Sequence, residues 1–345
     1  MKKKLYITVD TECHDINNQD RYIWGETKDG ERWGLEKILG EGKNLNIPIN
    51  FFVDIAEVDR YGSEFIKSVI NTIQSYNQPI FLHLHPNFIT GEEDRSFLWQ
   101  YNEEEQKKIL ARAHQIWDEL FPNTECIAFR AGRYGTDTKI YQLMKDEFGA
   151  GLIDLSYNSP GGKMCHLTKK EVGIDNICKN YKGIILFPNT TYIGLKLFGK
   201  QRRFGLDAAQ TCLGEFKKVL DQNSVCNIVL TMHSWNFIKT WFFRKGKVFK
   251  DKNALVRFRS MVDYASKKGY VISSLYDFEF NPDEEDQTVD ICLTNGGKMR
   301  ALLFNFLRFQ RMARLSPKYF KIYAAFYFIV AVLVSILVVY FLNAF

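Results

Sequence analysis

The chain has no close-paired cysteines. Its seven cysteines are odd in number and scattered through 345 residues, with no pair at zinc-finger spacing. That excludes a zinc ribbon or finger, argues against a disulfide framework, and fits reduced thiols in the cytosol. Cys13 beside His14 is a candidate ligand pair, although such neighbours also meet by chance. A secretory leader is missing too: Met-Lys-Lys-Lys runs into a short strand, not a long apolar region. Acid is absent from residues 298–321, which carry Lys298, Arg300, Arg308, Arg311, Arg314, Lys318 and Lys321. Charge of either sign is absent from residues 322–345. The net charge of +6 is therefore local, because without those seven residues 39 basic side chains face 40 acidic ones. A nearly neutral body with a basic collar excludes a general nucleic-acid binder and suits a soluble domain with a membrane-facing end.

Apolar material is plentiful. The chain is 46% hydrophobic and 15% aromatic, enough for one large domain or two ordinary ones. The stretch that organises it is Ile80-Phe81-Leu82-His83-Leu84-His85-Pro86. It reads as a buried strand whose alternate residues share a face. His83 and His85 then aim two imidazoles at one point while Leu82 and Leu84 face the core, and Pro86 ends the strand and opens a loop. Two neutral imidazoles on a rigid strand end suit a zinc-type cation. A pair of histidines satisfied by polar neighbours is the plain alternative.

Other apolar runs end in the same way. Leu5–Val9 leads into Asp10-Thr11-Glu12, and Ile49–Val53 into Asp54. Cys126–Phe129 leads into Arg130-Ala131-Gly132-Arg133-Tyr134-Gly135. Gly151–Ser156 carries Asp154, and Asn227–Met232 ends in His233. Ile184–Pro188 and Tyr270–Ser273 are further strands. Between them the spacing predicts helices over Leu35–Leu45, Ser63–Tyr76, Glu103–Leu120, Thr136–Phe148, Asp207–Leu220 and Asn253–Lys268. Asn102 and Glu105 form a capping box for the third. His114 within that helix reads as a surface or core residue. Residues 14–35, 87–102 and 157–183 read as loops.

Alternating strands and helices predict a parallel α/β sheet or barrel. Asp10, Glu12, His83, His85, Arg130, Asp154 and His233 fall at the carboxyl ends of strands, where parallel barrels build their sites. That convergence predicts a metal-assisted catalytic site. An acidic, aperiodic linker precedes residues 298–321, where apolar residues interleave with arginines as in a helix lying on a lipid surface. Residues 322–345 are long and apolar enough for a transmembrane helix, which needs about 20 residues. With all flanking positive charge on its N-terminal side, the large domain is expected in the cytoplasm.

These strand-end motifs resemble those of the polysaccharide deacetylase family, carbohydrate esterase family 4, over about residues 4–277. Thr8-Val9-Asp10-Thr11-Glu12 is similar to its opening Thr-x-Asp-Asp motif, with Glu12 supplying the metal-binding carboxylate in place of Thr11. His83 and His85 stand two apart where the family spaces them four apart, as in a His-x-His branch. Phe129-Arg130-Ala131-Gly132-Arg133-Tyr134-Gly135 resembles the third motif without its prolines, and Ile228–His233 the fifth. The resemblance implies a distorted (β/α)7-type barrel over residues 1–277, followed by a linker (278–297), the basic juxtamembrane segment (298–321) and the membrane anchor (322–345). It implies Asp10 as catalytic base, Arg130 steadying it, His233 as general acid and Asp154 tuning that histidine. Glu12, His83 and His85 would hold the metal, zinc first, with cobalt, manganese or nickel able to take the same shell. Tyr134 and Trp235 would contact substrate.

The implied activity is hydrolysis of the N-acyl group of an amino sugar. With the anchor, the expected substrate is a glycan or polyprenyl-linked intermediate of surface-polysaccharide assembly, with the bilayer and assembly proteins as partners. Two other readings stay open. One is a glycoside hydrolase using Asp10 with Asp54 or Asp154. The other is a membrane-tethered scaffold without catalysis.

Overall fold

In the computed structural model, the residues described are 3–13, 17, 19–157, 165–167, 176–197, 200–222, 227–240, 247–282 and 291–293, with single positions at 304, 306, 308, 321, 324, 325 and 332. Thirteen strands are described: β1 Lys4–Thr11, β2 Asn50–Asp54, β3 Ile80–Leu84, β4 Ala128–Ala131, β5 Ile153–Asp154, β6 Lys179–Tyr181, β7 Ile184–Leu186, β8 Thr191–Leu197, β9 Lys200–Gly205, β10 Asn227–His233, β11 Ile238–Thr240, β12 Val248–Lys250 and β13 Val271–Ile272. The main sheet runs β10-β1-β2-β3-β4-β5-β7-β6, with β13 beside the start of β1. Every neighbouring pair from β10 to β7 is parallel, and β6 closes the edge antiparallel to β7. The expected barrel is thus a curled half-barrel, in which β10 and β6 are the two ends and do not pair among the described residues.

Alternation along the strands splits the core in two. Leu5, Ile7 and Val9 of β1 join Phe51, Val53, Leu82, Leu84, Phe129, Ile228 and Leu230 in the large cluster. Tyr6, Phe52, Phe81, Ala128 and Val229 belong to a second, aromatic-rich cluster on the opposite face. There Tyr6 packs edge-on against Phe187 with ring centroids 5.0 Å apart. Asp10, Arg130, His83 and His233 have the parity of this second set, so the half-barrel carries its polar residues above an aromatic floor. Asp154 has the other parity, because Ile153 and Leu155 belong to the second cluster.

Neighbouring strands occupy one side of β1 in two stages: Lys4 and Leu5 face β13, whereas Thr8 to Thr11 face β2. Asn50 closes the junction. Its buried amide donates to the carbonyls of Ile7 and Ser273, both at 3.1 Å, and accepts from the Leu275 N–H at 2.8 Å.

Helices Leu35–Leu45 and Glu103–Leu120 lie where the spacing places them, the second with the Asn102–Glu105 capping box. Others begin later than expected. Asp137 accepts from the N–H groups of Lys139 and Ile140, so that helix starts at Ile140. Asp207 binds the N–H groups of Ala209 and Gln210, so the next is Leu213–Gln222. Pro86 opens a one-turn helix, Pro86–Thr90, where a loop was expected, because proline suits a first helical position. The β8–β9 hairpin and the short β11–β12 pair were not anticipated. The cysteines at 13, 126, 165, 178 and 212 are buried.

Among the described residues no helix is long and apolar enough to cross a membrane. The expected transmembrane helix lies almost wholly outside them; within it only Ala324, Ala325 and Val332 are described, all exposed. His14 and most of the basic collar are also outside. Arg308 departs from the expectation of a lipid-facing collar, being only 5% exposed. Its guanidinium lies 4.0 Å over the Phe204 ring, donates to Tyr192 Oη and to Thr211 Oγ1 (3.3 Å), and faces Glu215 at 3.8 Å. A charge so placed is held by a carboxylate and an aromatic face, not by headgroups.

Candidate metal centre and acid–base pair

The register of the sheet assembles the site. Asp10 on β1 stands directly beside His233 on β10, and His83 on β3 lies between Asp54 and Arg130 on the adjacent strands. Glu12 follows β1 and reaches across. Its Oε2 lies 2.6 Å from His85 Nε2 and 3.3 Å from His83 Nε2, and its Oε1 lies 3.8 Å from His233 Nε2. Glu12, His83 and His85 are all buried and offer ligand atoms within 4.8 Å of one another.

The tautomer of His83 is fixed by its neighbour. Nδ1 lies 2.9 Å from the Arg130 carbonyl, which can only accept, so Nδ1 carries the proton. Nε2 then turns a lone pair toward the Glu12 carboxylate. In the neutral imidazole two acceptors then face each other at 3.3 Å, an arrangement that a cation relieves. An imidazole oriented through its other nitrogen is the usual support of a metal ligand. The donor set of two imidazoles and one carboxylate therefore fits a divalent ion of zinc type. Thr11 turns away, its hydroxyl 3.5 Å from the Val9 carbonyl, which leaves the carboxylate role to Glu12.

Gly132 makes room for the second imidazole. A Cβ there would sit 2.5 Å from the His85 ring. The next two residues, Arg133 and Tyr134, are both left-handed, at φ 53° and 59°, a conformation that non-glycine residues hold only under constraint.

Asp10 is gripped from below. Arg130 is fully buried; its Nη1 donates to Asp10 Oδ1, and its Nη2 to Thr8 Oγ1 at 2.9 Å and Asn189 Oδ1 at 3.4 Å. The guanidinium rests 4.3 Å over the Phe52 ring. This grip fixes one oxygen of the Asp10 carboxyl beneath the site. Tyr134 comes to the same place: burial pushes its phenol above the usual range, and the Asp10 charge adds to the shift. His233 is 29% exposed on its side chain, and its ring packs against Trp235 at 4.6 Å. Trp235 in turn meets Tyr22 edge-on at 5.3 Å. Tyr22 lies on a π-helical turn, Asp20–Trp24, a distortion frequent at functional sites. Nothing in the sequence pattern marked Tyr22 or Asn189, whereas Thr8 shares the parity of Asp10.

Asp54 and Asp154 are both fully buried. Asp54 Oδ1 accepts from the N–H groups of Ala56 (3.2 Å) and His85 (3.3 Å), while Oδ2 has no hydrogen-bond partner among the described residues. Burial first, then the charges of Glu57 and Glu12, push its carboxyl well above the usual range. Asp154, on the helix-facing side of β5, takes hydrogen bonds from Tyr141 Oη at 2.8 Å and from the N–H and hydroxyl of Ser156. None of these bonds joins it to His233, the residue it was expected to tune; Asp154 braces Ser156, whose Oγ accepts from the Ala131 N–H at 2.8 Å.

Two outcomes test this geometry. Gly132→Ala should displace the His85 ring and weaken zinc affinity about tenfold or more, read by competition with a chromogenic chelator. The Asp154 carboxyl is pushed from its ordinary 3.8 to about 6, chiefly by burial. The folded state thus holds this proton more tightly than the unfolded chain. The contribution is fully favourable below about pH 4 and is lost as the pH rises through about 6. Asp154→Asn should flatten that slope, worth about 3 kcal/mol at most, in urea titrations at pH 4.5 and pH 7.5.

No family model matches the chain, and no curated protein matches it. Among solved structures it is similar to a protein of Mycobacterium smegmatis designated a polysaccharide deacetylase (16% identity, TM-score 0.47, covering 81% of this chain and 96% of that one). It is similar also to a family 4 carbohydrate esterase from Streptomyces lividans in complex with acetate (10%, 0.41, covering 84% and 97%). A third is the chitin deacetylase of Colletotrichum lindemuthianum (11%, 0.41, covering 82% and 90%). At such identities, and with TM-scores below one half, the likeness assigns no activity to this chain.

Proposed function

We propose that this chain is a metal-dependent carbohydrate N-deacylase, removing the acyl group from an amino sugar. The observation that carries the reading is the convergence, on one face of the half-barrel, of an arginine-held carboxylate, a Glu-His-His cluster and a part-exposed histidine. Glu12, His83 and His85 would hold the ion. When bound, a divalent cation there supplies Lewis acidity toward the acyl carbonyl and lowers the pKa of water toward about 7.

The chain's own groups do the proton work. Arg130 occupies one oxygen of Asp10, and the other is placed to take a proton from water as its oxygen adds to the acyl carbon. His233, on the neighbouring strand, delivers a proton to the amide nitrogen as the C–N bond breaks, releasing free amine and carboxylic acid. Trp235 and Tyr22 wall the side of His233 and offer an aromatic surface to a sugar ring. A glycoside hydrolase is disfavoured: Asp54 and Asp154 are sealed from solvent and bonded into the fold, so neither can flank a glycosidic oxygen opposite Asp10.

The expected outcome of Asp10→Asn and of His233→Ala is a loss of acetate release of about a hundredfold or more with bound metal retained. His83→Ala should lose the metal itself, read by elemental analysis. Wild type that loads zinc, yet releases acetate from no N-acetylated sugar, would leave the tethered scaffold as the better account.

The location belongs to the same proposal. The uncharged run 322–345 and the basic residues before it support a single-pass anchor with the domain in the cytoplasm, near lipid-linked substrates. A chain ending at residue 315 keeps Arg308 in its buried place. It should leave the membrane fraction and lose any preference for polyprenyl-linked over soluble sugars; persistence in washed membranes would contradict the anchor.

A further inference from the structure

Beside the metal ligands lies a pocket of about 210 Å³ that the acid–base chemistry does not use. His85 forms its floor, Tyr22 and Phe88 its walls, Asn87 and Ser96 its polar lining, and Glu93 and Arg133 its rim. Asn87 is only 6% exposed, and among the described residues its Oδ1 has no hydrogen-bond partner. A buried amide oxygen in that state is a vacancy for a donor, since native folds satisfy such atoms. Arg133 is exposed, and among the described residues it has neither an ion pair nor a side-chain hydrogen-bond partner. Its left-handed backbone places it at the rim, at the point where the turn passes Gly132 and His85.

The charge balance sets the ligand class. Glu93 is already paired with Arg60, whose guanidinium lies 5.4 Å over the Phe88 ring. With Glu93 engaged by Arg60 outside the lining, Arg133 is left as the lining cation without a carboxylate partner among the described residues, at a cavity beside the Glu12, His83 and His85 cluster. We propose that this pocket binds an anionic oxyacid group, a phosphate ester or a carboxylate, carried by the same acylated sugar whose amide meets Asp10 and His233. Arg133 is its charge partner, and Asn87 and Ser96 read the hydroxyls beside it. The assignment rests on the deacylase reading and narrows it, from amino sugars in general to sugars bearing negative charge. A planar guanidinium matches either oxyacid through two parallel hydrogen bonds, which an ammonium cannot reproduce.

The test uses the full-length, zinc-loaded chain in detergent, with three probes followed by calorimetry. They are UDP-N-acetylglucosamine for phosphate, an N-acetylglucosamine–glucuronate disaccharide for carboxylate, and neutral diacetylchitobiose. One anionic probe should bind about tenfold or more tightly than the neutral one, and which of the two leads identifies the group. Arg133→Asn tolerates the left-handed backbone and should bring the ratio of anionic to neutral affinity close to one. Arg133→Lys should restore part of it. Equal binding of all three probes by wild type, or a preference that survives Arg133→Asn, would overturn the proposal. Acetate release is measured on the same preparations. Release without charge preference removes the pocket and keeps the deacylase, whereas Arg133-dependent binding without release from any probe removes the deacylase and keeps the anion site.

Discussion

The fold around the site depends on one buried guanidinium. Arg130 has no exposure to solvent, so its charge has to be neutralised where it lies. It finds Asp10 and Thr8 on β1, Asn189 beyond β7, and the face of Phe52 on β2. Its own carbonyl fixes the tautomer of His83 on β3. One residue on β4 thus ties together the carboxylate proposed as base and an imidazole proposed as ligand. Removing its side chain would leave Asp10 without its buried cationic partner, whereas the backbone carbonyl that orients His83 would remain.

A second constraint is excess negative charge. Glu12, Asp54 and Glu57 are all buried close together, and Asp54 responds by holding its proton more tightly than an ordinary carboxyl. Glu57 is engaged by the Cys13 N–H at 2.6 Å. Glu12 faces three imidazoles. Such a cluster is unfavourable without a positive partner, and a divalent cation between Glu12, His83 and His85 is the partner its geometry suits.

Arg308 shows the same electrostatic logic far along the chain. The sequence gives it the look of one more lysine or arginine in a basic collar, yet it sits over Phe204 and against Glu215, inside the domain. The collar is therefore not uniform: one of its members belongs to the fold, and its charge is not available to lipid. Periodicity alone could not separate Arg308 from its neighbours, since the carboxylate that holds it lies on a helix nearly a hundred residues earlier.

What the sequence by itself determined is whatever depends on neighbours in the chain. Side chains two apart on a strand share a face, so His83 with His85 and Asp10 with Glu12 were legible as pairs, and the capping box fixed the start of helix Glu103–Leu120. The parallel α/β character followed from the order of apolar runs and helical stretches. The tertiary structure decided the rest. Strands covered on both faces read as continuous apolar runs, which hide the parity that turns Asp154 away from His233 and onto Tyr141. The curl of the sheet, the wall built by Tyr22, the Asn189 contact and the pocket beneath Arg133 all join residues far apart in the chain. Distances of that kind are set by packing, and no local pattern encodes them.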